Sequence, residues 1–173
     1  QVWSFNYRGV LINGTGETVC VLDTGINYSL PEFGSCTSAQ FSAGNCSKVI
    51  GGYDYVNGDA DPYDDHNHGT EVSSVIASLN STYSGVAPGT KIYSVKVCNS
   101  GGTCSTSNIQ SGIDACVGNQ TAYNISVISM SIGTDQLFSA TCDSQTLASS
   151  ANTAVDNGLI VVAASGTDGA STV

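Results

Sequence analysis

Two short stretches hold the residues best suited to chemistry. VLDTGI (21–26) sets the carboxylate of Asp23 just past an apolar run, with Thr24 and Gly25 suited to a tight turn. HNHGTEV (66–72) sets His68 at the start of a segment of helical apolar spacing, and Gly69 beside it allows close approach. Taken singly, each has a structural reading: a turn or capping Asp, and a His at a helix start. A carboxylate and an imidazole are nonetheless residue types that general acid–base chemistry uses. A second chemistry is also open. His66 and His68 form H-x-H, with Asp61, Asp64 and Asp65 upstream as further ligands for a hydrolytic transition metal. That reading leaves VLDTGI unexplained. The loop NGDADPYDDHN (57–67) also gathers Asp59, Asp61, Asp64 and Asp65, oxygen ligands of the kind calcium takes, although a solvated acidic loop has the same composition.

The segments around these residues say what must position them. TVCVLD (18–23), KVIGGY (48–53), KIYSVKV (91–97), SVISMS (126–131) and GLIVVAAS (158–165) read as buried strands, several apolar throughout, as when both sheet faces are covered. Between them lie three helix candidates. One follows His68 and aligns Val72, Val75, Ile76 and Leu79. One is capped by Ser105 or Thr106 and aligns Ile109, Ile113 and Val117. One runs over 144–156 with Leu147, Ala151 and Val155 and stops at Asn157-Gly158. Alternating strands and helices predict an α/β fold, a mostly parallel sheet flanked by helices on both faces. The polar stretches 34–47 and 57–67 read as surface loops. In such sheets functional groups gather at the carboxyl ends of the strands, where Asp23 and Gly166-Thr167 fall.

Composition narrows the partners. Four Lys plus Arg stand against fourteen Asp plus Glu, a formal charge of −10, so neither nucleic acid nor an anionic membrane has a basic surface to bind. The 173 residues suffice for one domain with its own core, and no apolar run reaches the roughly eighteen residues that span a bilayer. Only 10% of residues are charged, which suits an extracellular protein; an exported product would already have lost its leader before Gln1. Seven cysteines agree with an oxidising compartment. Cys36 and Cys46, and Cys98 and Cys104, bracket short loops that bridges can close, and Cys116 with Cys142 can form a third. Cys20, inside TVCVL, is then left as a buried free thiol. Six N-x-S/T sequons permit glycosylation and, in a chain this rich in Asn, Ser and Thr, discriminate little.

In order along the chain stand VLDTGI, HGT opening the next helix, GVAPGTKIYSVKV (85–97), ISMSIG (128–133) and VVAASGTDG (161–169). Together they resemble the subtilisin-like serine protease family over essentially the whole chain, as the N-terminal portion of its peptidase domain (1–173). The resemblance implies a secreted serine endopeptidase acting on polypeptide through an acyl-enzyme. Asp23 matches the triad aspartate and His68 the general base. Gly102, Thr103 and Cys104 match one substrate-binding strand, Ser131, Ile132 and Gly133 the opposite one, and Ala164, Ser165 and Gly166 the far wall of the specificity pocket. No cofactor is implied for the chemistry. The DPYDD loop is similar to one in some relatives and implies structural calcium on Asp59, Asp61 and Asp64.

Three departures qualify the resemblance. Thr167 stands where the family has the Asn that donates to the oxyanion; in subtilisin, the handiest measure of that donor, its loss costs about a hundred- to a thousandfold in turnover. Glu71 and Ser73-Ser74 replace the family's usual residues after HGT, away from the chemistry. No serine here has the context of the family's nucleophile, and the sequence stops inside DGASTV, a small polar stretch of the kind proteases nick. The expectation is a two-chain enzyme whose serine lies on a C-terminal fragment. The alternative is a pseudoprotease or peptide-binding domain that uses the groove without cleavage.

Overall fold

The computed structural model describes residues 5–133 and 145–166. A short antiparallel hairpin, β1 (Asn6–Tyr7) and β2 (Val10–Leu11), precedes a five-stranded sheet. Its strands are β3 (Thr18–Asp23), β4 (Val49–Asp54), β5 (Lys91–Lys96), β6 (Ile125–Met130) and β7 (Ile160–Ala163), in the order β4-β5-β3-β6-β7 and parallel throughout. The helices are α1 (Ser38–Ser42), α2 (His68–Ala77), α3 (Thr106–Gly118), α4 (Gln120–Tyr123) and α5 (Thr146–Asp156). The predicted α/β sheet is therefore the one observed. All five strands run the same way, so their carboxyl ends share one edge.

The central strand shows how the sequence builds two layers. All six residues of β3 are buried. Alternation sends Val19 and Val21 to one face, where they meet Ile26, Tyr28, Phe33, Ala77 and Ile92 beside α2. It sends Cys20 and Leu22 to the other, with Val95, Ile113, Cys116, Ile128 and Ala154 beneath α3 and α5. At the sheet's edge β7 departs from the expectation of burial. Ile160 and Val162 are 62% and 52% exposed, although both are apolar.

Helix α3 follows the sequence reading: the Ser105 hydroxyl accepts from the Asn108 N–H, and Ile113 faces the core with Ile109 and Val117 packed against it. Helix α2 does not. Its buried side is Gly69, Thr70, Ser73 and Ala77, while Val75 is 67% and Leu79 49% exposed. Small residues let this helix sit close to the sheet, with Val72 and Ile76 packed at its flank and Val75 turned outward. The same holds for α5, where Ser150 and Ala154 are buried and Val155 is exposed.

Two further expectations are corrected. Cys20 is not a free thiol; it is bonded to Cys116 on α3 (Cα–Cα 6.1 Å), beside the predicted Cys36–Cys46 and Cys98–Cys104 bridges. Cys142, predicted as the partner of Cys116, lies outside the described residues. The stretch 34–47 is not simply a loop. Thr37 and Gln40 form a reciprocal capping box on α1, and Phe41 stacks on buried Tyr28 at 4.7 Å.

Candidate active site

Asp23 is the last residue of β3 and is 1% exposed, whereas His68 opens α2 with its side chain 44% exposed. The imidazole Nδ1 meets Asp23 Oδ1 at 2.7 Å across 45 positions of sequence. The Thr24 N–H donates to the same oxygen at 2.7 Å, and Oδ2 is buried with no hydrogen-bond partner among the described residues. A buried carboxylate with so few donors gains much from each one, which fixes the ring to it. With Nδ1 held inward by the carboxylate, Nε2 is left to exchange a proton.

Three devices set that geometry. Gly25 adopts φ +110, and a Cβ on it would lie 2.5 Å from the Pro62 carbonyl oxygen. A Cβ on Gly69 would lie 2.2 Å from the Gly25 carbonyl oxygen and 3.1 Å from Asp23 Cβ. Both glycines are required because strand end and helix start touch backbone to backbone. The Thr24 hydroxyl then accepts from the Gly69 N–H at 2.8 Å and donates to Asp64 Oδ1 at 2.9 Å.

Asp64 is the third device. Its Oδ1 also accepts from the N–H groups of His66 (2.9 Å) and Asn67 (3.0 Å), and its Oδ2 from the N–H (2.9 Å) and hydroxyl (2.5 Å) of Thr70. Asn67, at φ +87, supplies no side-chain cap of its own. Asp64 thus serves the open N–H groups around the start of α2. Burial alone would raise its pKa; hydrogen bonds from Thr70 and from the N–H groups of His66, Asn67 and Thr70 outweigh this and hold it below the ordinary carboxylate value.

The carboxylates of the candidate calcium loop are engaged within the protein. Both Asp64 oxygens are occupied by protein donors. Asp61 accepts from the hydroxyls of Tyr28 (2.8 Å) and Ser38 (3.2 Å), and Asp59 accepts from the Asp61 N–H (2.9 Å). Among the described residues no three His, Cys, Asp or Glu side chains, Asp59, Asp61 and Asp64 included, are grouped as metal ligands would be.

The groove candidates fall on the same sheet edge. Gly102, Thr103 and Cys104 belong to a short hairpin after β5, in which Cys98 and Cys104 are bridge partners as well as a disulfide. The Asn99 side chain accepts from the N–H groups of Gly101 and Thr103, both at 3.0 Å. A Cβ on Gly102 would lie 3.1 Å from His66 Nε2, and the His66 and His68 rings are 6.5 Å apart, so this hairpin adjoins the His68 loop. Ser131, Ile132 and Gly133 directly follow β6, with Ile132 packed on the core. Ala164, Ser165 and Gly166 follow β7 and are exposed, and the Ala164 N–H donates to the Met130 carbonyl at 3.0 Å. Thr167 lies outside the described residues.

Sequence reasoning assigned Asp64 to a metal, gave Thr24 only a turn role and passed over Lys96. Lys96 ends β5 fully buried, and its ammonium donates to the Thr24 carbonyl, Asp65 and the Cys98 carbonyl. A lysine flanked by Val95 and Val97 at the end of a buried strand was the available signal.

The Subtilase family matches over residues 14–173. The chain is 33% identical to the "Thermophilic serine proteinase" of Bacillus sp. (strain AK1) over 161 residues, 91% of this chain and 35% of that protein. It is 33% identical to "Subtilisin Savinase" of Lederbergia lenta over 164 residues, 94% of this chain and 52% of that protein. A solved cold adapted subtilisin-like serine proteinase superposes with a TM-score of 0.69 at 32% identity, over 90% of this chain and 48% of that one. The chain thus spans between about a third and about half the length of these relatives. With this likeness covering the edge where Asp23 and His68 meet, the chain belongs to the subtilase family.

Proposed function

We propose that this chain supplies the base, its orienting carboxylate and much of the substrate groove of a serine endopeptidase. The observation that carries the reading is the 2.7 Å contact of His68 Nδ1 with buried Asp23, which turns the other ring nitrogen toward solvent-accessible space. In the proposed reaction, His68 Nε2 takes the proton of a serine hydroxyl as its oxygen attacks the scissile carbonyl. It then returns the proton to the leaving amine, and water repeats the sequence on the acyl-enzyme. Asp23 keeps the ring in its Nδ1–H tautomer and stabilises the cation formed on proton uptake. Extended substrate would lie between 102–104 and 131–133, held through its backbone, with 164–166 walling the pocket.

No serine of this sequence has the context of the family's nucleophile, so the nucleophilic serine is assigned to a C-terminal fragment of the same protease. The exposed apolar side chains of β7 support a further segment of polypeptide packed against this end of the sheet. Three disulfides support an extracellular setting, and among the described residues no helix is long and apolar enough to cross a membrane. Fluorophosphonate labelling of the purified protease, followed by a denaturing gel, tests both points. Label on a second polypeptide, lost in H68A, is the expected result. Label on one longer polypeptide rejects the two-fragment arrangement. No label on any polypeptide rejects the protease and leaves a peptide-binding domain.

A further inference from the structure

We propose that Lys96 is a positioning residue for the catalytic pair, its buried ammonium tying the turn after Asp23, the loop into His68 and the root of the 98–104 hairpin into one unit. The inference rests on the reading of Asp23 and His68 as that pair.

The sheet dictates the placement. Lys96 is the register partner of Asp23 on the neighbouring parallel strand, so both side chains leave the sheet toward α2. Lys96 is 0% exposed, in a chain that holds only four Lys and Arg in all. An ammonium has three donors and no acceptor, and a buried one must satisfy them all. Three acceptors surround it: Thr24 O at 2.7 Å, Asp65 Oδ1 at 2.5 Å and Cys98 O at 3.2 Å.

Each acceptor lies on a different part of the site. Thr24 follows Asp23 and takes the Gly69 N–H on its hydroxyl. Asp65 precedes His68 by three residues, and its side chain is 47% exposed, so it is drawn inward by this one contact. Cys98 anchors the disulfide that closes the hairpin, and its N–H and that of Val97 donate to the Asp23 carbonyl. Lys48 offers the contrast: it is also buried, but its ammonium bonds the Pro88 and Thr90 carbonyls and reaches none of these segments. A well-packed apolar side chain of similar volume stabilises a core at least as well as a buried ion pair. What it cannot do is hold three separate backbone segments at fixed mutual distances. Relaxing any of the three alters the angle at which the imidazole meets Asp23.

Long-range proton–nitrogen correlation spectra of the nitrogen-15-labelled protease that contains this chain, taken at alkaline pH, report which ring nitrogen of each histidine carries the proton, and H68Q assigns the signal of His68. The parent is expected to show His68 as a single Nδ1–H tautomer. D65A is expected to lose that signature, its ring nitrogen shifts moving to the mixture of a free imidazole, while D65N keeps an acceptor oxygen and keeps the parental spectrum. K96M is expected to match D65A; because it can also unfold the chain, the half-exposed Asp65 variants decide. If D65A and D65N behave alike below their melting transitions, whether both parental or both lost, the tie through Lys96 is refuted. A free-imidazole mixture in the parent itself refutes the Asp23–His68 pair, and with it the proposed function, whatever the variants do.

Discussion

Replacing Asp64 by alanine removes five hydrogen bonds at once, and their geometry sets the expected cost. Three of the donors are the N–H groups of His66, Asn67 and Thr70, which have no other acceptor shown, and two are the hydroxyls of Thr24 and Thr70. The Thr70 hydroxyl keeps its role as acceptor for the Asn27 N–H, and the Thr24 hydroxyl keeps the Gly69 N–H, so the hydroxyls lose less. Loss of a helix N-cap costs about 1 kcal/mol and a hydrogen bond to a charged group about 1.5–3 kcal/mol. Water entering the vacated space recovers part, which leaves a net loss of roughly 3–5 kcal/mol, a large share of the roughly 5–15 kcal/mol that holds a domain folded. D64N should fall between parent and D64A, because its amide nitrogen faces the Thr70 N–H.

The pH dependence separates this account from a simple cavity. The folded-state pKa of Asp64 lies below its ordinary value of 3.8. Its contribution is therefore complete above that value and is lost as pH falls below it through the folded pKa. Denaturant melts followed by circular dichroism, run in parallel from neutral pH into the acid limb, should show the D64A deficit shrinking as acid protonates the parent carboxyl. A deficit that stays constant across this range, or a D64N variant as stable as the parent, would refute the capping role.

The remaining predictions follow from the same contacts. G69A places a methyl group against the Gly25 carbonyl, so the start of α2 must move; about 1–3 kcal/mol of stability and about a hundredfold in turnover should be lost, read by melting and by peptide hydrolysis. Disulfide mapping by mass spectrometry should recover Cys20 linked to Cys116, and the C20A/C116A pair should lower stability by about 4–5 kcal/mol, since the bridge closes a loop of 96 positions. Millimolar calcium or a chelator should leave the melting temperature of this chain unchanged, because the carboxylates of 57–67 are committed to protein donors; a calcium-dependent rise would contradict that.

What could be read from the sequence was what depends on local pattern. The β3 run TVCVLD is apolar because it is covered on both sides, and Ser105 announces its helix because a cap must lie next to the N–H groups it serves. Facing directions were less legible. In α2 and α5 the sheet is met most closely by Gly69, Ser73, Ala77, Ser150 and Ala154, so of the apolar positions Val72 and Ile76 pack on the core while Val75, Leu79 and Val155 are exposed. Contacts made only by tertiary folding were not visible. Cys20 and Cys116 come together because alternation turns Cys20 toward α3, and spacing alone favoured other partners. Asp23 and His68 were legible as residue types and as neighbours at a sheet edge. The supports around them, Asp64 under the helix start and Lys96 beneath the turn, looked like a metal ligand and an ordinary strand lysine until the fold placed them.

A double-mutant cycle on Asp23 and His68, measured as kcat on a peptide substrate with the protease that contains this chain, tests the central claim most directly. The account predicts that H68A alone removes nearly all turnover above the residual level of substrate binding. D23N alone should lose on the order of ten-thousandfold, and D23N/H68A should be no worse than H68A, because the carboxylate acts only through the ring. Losses that multiply in the double variant would show two independent contributions and contradict the pairing on which the account stands.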